Sequence, residues 1–502
     1  MPPVRNRSEW LEALARHAAQ RPSCAAIAQV SPDGAITQAA TWRELLSLAE
    51  ERAGTLAKAL CPGATVVAAL SPGIDFVAWF AGAIASGVRL VLMHPRCGAG
   101  EFASVCGRTC AGGVLAADSL LTRVPAGLVR LHDHRPSRPG VEVSDERSPI
   151  PPRAPGCVVL GSSGTTGLPK LVVRESAALD AVARAVATGM SLTTVDRVLC
   201  VPPLCHSYGV DLLLGTLWAG ATLAVMPEFD PTGAARQLAS GATVLPGVPF
   251  MFESLAHLAG GEGTQDRGAR PAHGLRLAVS AGSPLSPRVR AEFVARWHID
   301  VGQLYGATEL GTVSLSIPGE PGFDAKGVGA PLAGASFRVV DVGDPRRELA
   351  SGEEGQLAVR AASMLSGYVE GEPELVDGHL LTGDLARLDG QGRATITGRL
   401  KLLIDVGGFK VNPLEVEREL AEHPEVVECA VVAMPLSDTI QRVAAIVVPR
   451  DPGRPPGETE LRRFLRERLA PIKIPRSFEM AESLPRSPLG KLLRDKLLGE
   501  RV

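Results

Sequence analysis

Leu160-Gly161-Ser162-Ser163-Gly164-Thr165-Thr166-Gly167-Leu168-Pro169-Lys170 reads as a flexible loop built to hold phosphate. Its glycines, Gly161, Gly164 and Gly167, open backbone conformations denied to other residues, so several N–H groups can converge on one anion. Ser162, Ser163, Thr165 and Thr166 add hydroxyl donors, and Lys170 supplies a positive charge on a long stem. The preceding Cys157-Val158-Val159-Leu160 reads as a strand end, which places the loop at the mouth of a sheet. The pattern Gly-x-x-x-x-Gly-Lys-Ser/Thr cannot be laid onto it, because Pro169 precedes the lysine and no helix start follows at once. A phosphate loop of another kind is the reading; an ordinary Ser/Gly surface loop is the alternative.

The residues before the loop alternate helical and strand patterns. Helical spacing runs over 42–60 and 74–86, with strands at 65–70 and 89–93, the second ending at His94-Pro95. Beyond the loop, helices at 177–187, 210–219 and 286–297 alternate with strands at 197–201, 222–226, 242–246, 275–279 and 299–304. That rhythm predicts a parallel sheet covered by helices. From 311 the character changes to short strands with turn signals, at 337–341, 355–360 and 394–397, which predicts a small β-barrel ending near residue 400. A helix at 413–421, strands at 426–434 and 442–449, and a helix at 458–470 suffice for a separate α+β unit. The expected fold class is thus α/β. A large domain over 1–400 comprises αβ layers over 1–310 and a barrel over 311–400, followed by a small mobile domain over 401–502.

Composition narrows the function classes. A chain of 502 residues is too long for one compact core. Hydrophobic residues make up 45% and the formal net charge is -2, so neither a nucleic-acid-binding basic excess nor an acidic solvating tail is present. The nine cysteines show no Cys-x-x-Cys pair, which fits reduced, mostly buried thiols and a cytoplasmic location. The apolar span Ile74 to Met93 holds Asp75, Gly82, Gly87 and Arg89, so a buried helix and strand explain it better than a membrane span. Only eight of the 52 basic residues are lysines, which draws attention to each of them.

Other strand ends carry chemistry. Cys205-His206-Ser207-Tyr208-Gly209 follows the strand at 197–201; His206 reads either as a ring facing a pocket or as a histidine packed at a helix start. Tyr305-Gly306-Ala307-Thr308-Glu309 offers an aromatic face for a purine, a close-approach glycine, a hydroxyl and a carboxylate suited to Mg²⁺, with a solvated loop acid as the plainer reading of Glu309. Asp384, in Thr382-Gly383-Asp384, is an acid suited to ribose hydroxyls. Lys491, after Pro488-Leu489-Gly490, is better held than most tail lysines.

With these pieces in order, the chain resembles the adenylate-forming superfamily of acyl-CoA synthetases, peptide-synthetase adenylation domains and luciferases. The family's Ser/Thr-Gly-Thr-Thr-Gly-x-Pro-Lys loop is matched by Ser163 to Lys170, and its Tyr-Gly-x-Thr-Glu by Tyr305 to Glu309. Its Thr-Gly-Asp is matched by Thr382 to Asp384, its Gly-Arg-x-Lys by Gly398 to Lys401, and its Pro-Arg-x-x-x-Gly-Lys by Pro485 to Lys491. The resemblance implies that Ser162, Ser163, Gly164, Thr165, Thr166, Gly167 and Lys170 wrap the ATP phosphates. It also implies that Tyr305 packs on adenine, with Gly306 in the same ATP/AMP-binding set, that Thr308 contacts the α-phosphate, and that Asp384 and Arg399 bind the ribose. Glu309 would hold Mg²⁺, and Lys491 would bridge the acid's carboxylate and the nucleotide. Lys401 matches the hinge of the small domain, while Gly407, Gly408 and Lys410 match the loop that swings in for thioester formation. His206 matches the ring that gates the acyl site. Three positions depart from the pattern: Leu171 stands where a glycine is usual, Arg360-Ala361-Ala362 replaces Arg-Gly-Pro, and Leu380 or Leu381 replaces an aromatic residue.

Amino-acid-activating relatives place an aspartate after the gating ring, where this chain has Ser207, so an α-amino acid is disfavoured. The remaining pocket candidates, Gly209, Val210, Val248, Pro249, Ser280 and Gly282, are small or apolar, which suits an aryl, fatty or other bulky hydrophobic acid. His206-Ser207-Tyr208 also resembles aryl-acid ligases. The implied reaction takes ATP with Mg²⁺ and a carboxylic acid, and delivers the acyl group to CoA or to an acyl carrier protein. A homodimer is compatible with this reading. A relative that only thioesterifies a supplied acyl adenylate is the alternative function.

Overall fold

The computed structural model describes residues 8–124, 127–131, 156–162, 170–258, 273–406, 409–435, 441–486 and 492–498. Two large sheets organise the first three hundred residues. The first has nine strands, in the order 330–331, 311–316, 301–307, 277–280, 244–247, 197–200, 222–225, 25–30 and 36–41. Its six central strands are parallel, and antiparallel strands close both edges. The second has seven strands, in the order 367–368, 170–175, 157–162, 89–92, 65–69, 113–116 and 129–130. Here Lys170–Glu175 returns antiparallel beside Cys157–Ser162, so the phosphate-loop segment joins two neighbouring strands.

Strand alternation assigns side chains to layers. Val158 and Leu160 enter the core between the sheets, where Trp10, Trp42 and Phe80 pack with Leu179, Val182 and Leu213 from the helices Ser176–Gly189 and Ser207–Ala219. Val159 points the other way, to an outer cluster with Phe102, Val105 and Leu171. The far face of the nine-stranded sheet is covered by the helices Pro231–Ala239, Pro249–Ala256 and Pro287–Trp297. The expected apolar span at 74–93 is a helix, Ile74–Ser86, a left-handed Gly87 cap and the strand Arg89–Leu92. Among the described residues, no helix is long and apolar enough to cross a membrane.

The β-rich segment forms an antiparallel sheet of Ala335–Val340, Gly355–Ala361, His379–Leu388 and Leu375–Val376, with Ala394–Arg399 paired to His379–Leu388. Its apolar face closes on Val172, Leu310 and Val313 of the two large sheets, so all three sheets share one core cluster. Residues from 404 onward have clusters of their own, built around Val416, Val431, Val447 and Leu461 and around Ala430, Ile446 and Leu484. All nine cysteines are unpaired; Cys106, Cys200 and Cys205 are buried, but Cys24, Cys61 and Cys110 are exposed, so burial is less general than expected.

The helices Trp42–Ala59 and Ile74–Ser86 cross closely because residue 82 lacks a side chain. A Cβ there would lie 2.8 Å from Arg52 Cβ, 2.9 Å from Ala53 N and 3.0 Å from Ala49 O. Backbone cannot yield as a flexible side chain does, so Gly82→Ala is expected to destabilise the chain by about 1–3 kcal/mol. Denaturant unfolding measures this, and an unchanged midpoint would contradict the crossing as described.

Candidate active site

The carboxyl ends of parallel strands leave a crevice in open αβ sheets, and the predicted residues collect there. Cys157–Ser162 delivers the loop and lies parallel to Arg89–Leu92, which delivers His94. Arg197–Cys200 leads through Pro202-Pro203 to His206, Leu277–Ser280 leads to Gly282, and Val301–Ala307 carries Tyr305. Ser163 to Pro169, Gly407, Gly408 and Lys491 lie outside the described residues.

Tyr305, Asp384 and Arg399 come from two sheets and meet. The Tyr305 hydroxyl donates to Asp384 Oδ2 at 2.7 Å, and Arg399 Nε stands 3.5 Å from Asp384 Oδ1. Cross-strand pairing puts Asp384 directly opposite Arg399, and Thr382 Oγ1 accepts from the Asp384 N–H at 3.1 Å. Burial and the Asp384 carboxylate beside it hold the Tyr305 phenol well above its usual range, so it stays a neutral donor.

A second set joins Lys170, Tyr368 and Glu309. Lys170 Nζ lies 4.9 Å from the centre of the Tyr368 ring, and the Tyr368 hydroxyl donates to Glu309 Oε1 at 3.3 Å. Burial, then Glu309, pushes the Tyr368 phenol up to about 12. Sequence reasoning missed Tyr368, which sits on a two-residue strand paired to the strand that begins at Lys170. Its rarity was the available signal: the chain has only three tyrosines, Tyr208, Tyr305 and Tyr368, and all three lie in or beside this region. Among the described residues no cluster of three or more His, Cys, Asp or Glu could hold a metal. A lone carboxylate with one oxygen engaged suits Mg²⁺, a hard cation that keeps water and takes phosphate oxygens as its other ligands.

The helix after His206 begins at Ser207, three residues earlier than its apolar pattern suggests, and His206 is its N-cap. Its side chain makes no capping bond, and its ring lies 6.4 Å from the His94 ring. The early start turns Tyr208 against the core between the sheets. Val210 is fully buried in that core. Gly209 serves close packing, since a Cβ there would lie 2.2 Å from Pro203 O. Ser280 Oγ is buried without a partner among the described residues, and Gly282, at φ +86, leaves space beside Val248. Pro249 starts the next helix.

The departures from the family pattern fall in cores. Leu171 faces the outer cluster with Val159, whereas Lys170, Val172 and Arg174 share the opposite face of their strand. Ala361 and Leu380 are buried in the cluster shared by the three sheets. Near the expected hinge, Asn412 Nδ2 donates to Thr397 O at 2.7 Å, and a Cβ on Gly398 would lie 2.2 Å from that nitrogen. Lys401 lies in the one-turn helix Leu400–Leu402, and Lys410 pairs with Asp405 at 2.6 Å.

Burial, and then the neighbouring His94, lower the His206 pKa to about 4. A histidine kept neutral in the fold is stabilising while the unfolded chain is also neutral, above about pH 6.5. That contribution is lost as pH falls from there toward 4, because only the unfolded state takes up the proton. The loss in melting temperature between pH 7 and pH 5 should therefore shrink in His206→Gln; an identical loss in both proteins would contradict a ring held neutral by burial.

Two family models match the chain: AMP-binding enzyme over residues 14–369 and AMP-binding enzyme C-terminal domain over residues 415–491. The sulfoacetate–CoA ligase of Cupriavidus necator is 33% identical over 365 residues, covering 70% of this chain and 69% of that enzyme. The feruloyl-CoA synthase of an Amycolatopsis species is 31% identical over 397 residues, covering 76% and 75%. A Rhodococcus jostii CoA ligase for a bicyclic propanoate is 31% identical over 352 residues, covering 68% of this chain and 65% of that enzyme. Among solved structures, ATP-bound MatB from Rhodopseudomonas palustris superposes with a TM-score of 0.84 at 26% identity, covering 97% of this chain and 98% of that one. The chain belongs to the AMP-binding enzyme family, in its acyl-CoA ligase branch.

Proposed function

We propose that the chain activates a hydrophobic or aryl carboxylic acid as its acyl adenylate and passes the acyl group to CoA. What supports this most is the convergence of two sets: Tyr305, Asp384 and Arg399 suit a nucleoside, and Lys170 with Glu309 suits charged phosphates. In the first step a carboxylate oxygen forms a bond to the ATP α-phosphorus, and the bond to pyrophosphate breaks. In the second, the CoA sulfur bonds to the acyl carbon, AMP leaves, and the thiol proton passes to solvent.

In this reading Ser162 to Lys170 hold the phosphates, Tyr305 packs on adenine, and Asp384 with Arg399 grips the ribose. Thr308 contacts the α-phosphate. Glu309 would hold Mg²⁺, which, when bound, neutralises phosphate charge. Lys491 stabilises the charge that builds up as the carboxylate attacks. Lys401 is the hinge between a large domain over 1–400 and a small one over 401–502. Rotation there withdraws Lys491 and brings in Gly407, Gly408 and Lys410, so one pocket serves both steps.

Relatives in the family are named for acids as different as sulfoacetate and ferulate. A substrate with a second anionic group needs a cation facing its acyl end. The gate here is neutral: burial lowers the pKa of both His206 and His94, and the nearby cations are already paired, Arg174 with Asp211 and Arg96 with Glu228. That favours an uncharged acyl tail.

Acid-dependent ATP–pyrophosphate exchange across aryl, fatty, polycyclic and dianionic acids tests this function. Exchange is expected with uncharged tails and to fall about 10²- to 10³-fold in Lys491→Ala. Preference for a dianion would overturn the substrate class, and no exchange with any acid, beside thioester formation from supplied acyl adenylate, would overturn the adenylation step. Lys401→Pro should block one half-reaction selectively; equal loss of both would refute the hinge.

A further inference from the structure

The fully buried guanidinium of Arg174 lies four residues beyond Lys170, on the strand that leaves the phosphate-loop segment. Its Nη1 donates to Asp211 Oδ1 at 2.8 Å and to Ser207 Oγ at 3.3 Å. Asp211, 1% exposed, lies on the helix that His206 caps. Its second oxygen accepts from Thr312, at 2.8 Å from the backbone N and 3.0 Å from Oγ1. Thr312 follows the turn from Ala307 to Gly311, which carries Thr308 and Glu309.

The turn rests on the guanidinium itself. Gly311 has φ +69, and a Cβ there would lie 2.7 Å from Arg174 Nη2. The other side of the turn is held by Ser363 Oγ donating to Leu310 O at 2.6 Å and by the Leu365 N–H donating to Glu309 O at 2.7 Å. One ion pair therefore touches three elements: the strand starting at Lys170, the N-terminus of the gating helix, and the Thr308-Glu309 turn.

Stability alone accounts poorly for this arrangement. Apolar side chains of similar volume serve a core as well as a buried ion pair does, and often better. Arg174 Nε and Nη2 also have no hydrogen-bond partner among the described residues, a cost that an apolar pair would avoid. What an apolar pair lacks is direction: Asp211 binds the Thr312 N–H and hydroxyl at fixed angles while Arg174 Nη1 fixes both Asp211 and Ser207.

We propose that Arg174 and Asp211 are positioning residues that hold Thr308 and Glu309 in register with Lys170 and with the His206 gate. The proposal rests on the adenylation reading for its kinetic consequence, but not for its structural one. Touching neither nucleotide nor acid, the pair acts through the turn, so its loss lowers the rate of adenylation and spares ground-state binding of ATP.

The test compares wild type with Arg174→Met, Asp211→Leu and the double variant by thermal unfolding, backbone hydrogen exchange and ATP–pyrophosphate exchange kinetics. Each single variant strands a buried charge and should lose stability, and the double variant should regain most of it, falling short of wild type by the two Thr312 donors that Asp211 no longer accepts from. Compared at equal distance below each protein's melting temperature, residues 307–312 of the double variant should exchange hydrogen faster than in wild type. The double variant's kcat should fall about tenfold to a hundredfold, with KM for ATP within about twofold. A double variant with wild-type melting temperature, hydrogen exchange and kcat would overturn the proposal and leave the pair a packing feature. Hydrogen exchange needs no substrate: a wild-type protein inactive with every acid would sink the adenylation reading, while protection at 307–312 would still decide for or against the pair.

Discussion

The hydrogen bond from Tyr305 to Asp384 fastens the parallel layers to the antiparallel sheet within the candidate active site. Neither partner reaches the other without the cluster beneath them, where Val172, Leu310, Val313, Leu357 and Val359 bring strands of three sheets into one core. Burial then feeds back on the bond: together with the Asp384 carboxylate beside it, burial keeps the proton on the phenol, so Tyr305 is a fixed donor to that carboxylate. Arg399, opposite Asp384 in the ladder, follows from the same register.

A second consequence of the layered arrangement is the sorting of charge by face. Along Lys170–Glu175, alternation sends Lys170, Val172 and Arg174 to the inner face, with Val172 in the core shared by the three sheets, and Leu171 and Val173 toward the outer core. A leucine where the family usually has glycine is therefore accommodated by packing with Val159 and Phe102. The same alternation puts Lys170 at the start of one short strand and the buried Arg174–Asp211 pair near its end.

Much of this was legible in the sequence, because strand ends announce themselves through β-branched runs that stop at Gly, Pro and hydroxyl residues. The helix at 74–86 and the strands at 65–70 and 89–93 follow from periodicity to within a residue or so. The division into two sheets did not, since a period of two says which faces a strand buries but not which strand it pairs with. A helix starting at Val210, as the apolar pattern suggests, leaves Tyr208 in the preceding loop; beginning at Ser207 rotates its ring into the core. Arg174 and Asp211 escaped notice for a different reason. A lone arginine in a strand and a lone aspartate in a helix look like solvent-facing charges, and only the fold shows that each is the other's partner. Tyr368 lies on a strand of two residues, too short to leave a pattern.

Adenylation of this kind requires the acid's own oxygen to attack the α-phosphorus. The most direct measurement uses an accepted acid labelled with ¹⁸O in its carboxylate and follows the label into products by mass spectrometry. One ¹⁸O should appear in AMP for each thioester formed. Label in inorganic phosphate, or AMP free of label while thioester accumulates, would contradict the account.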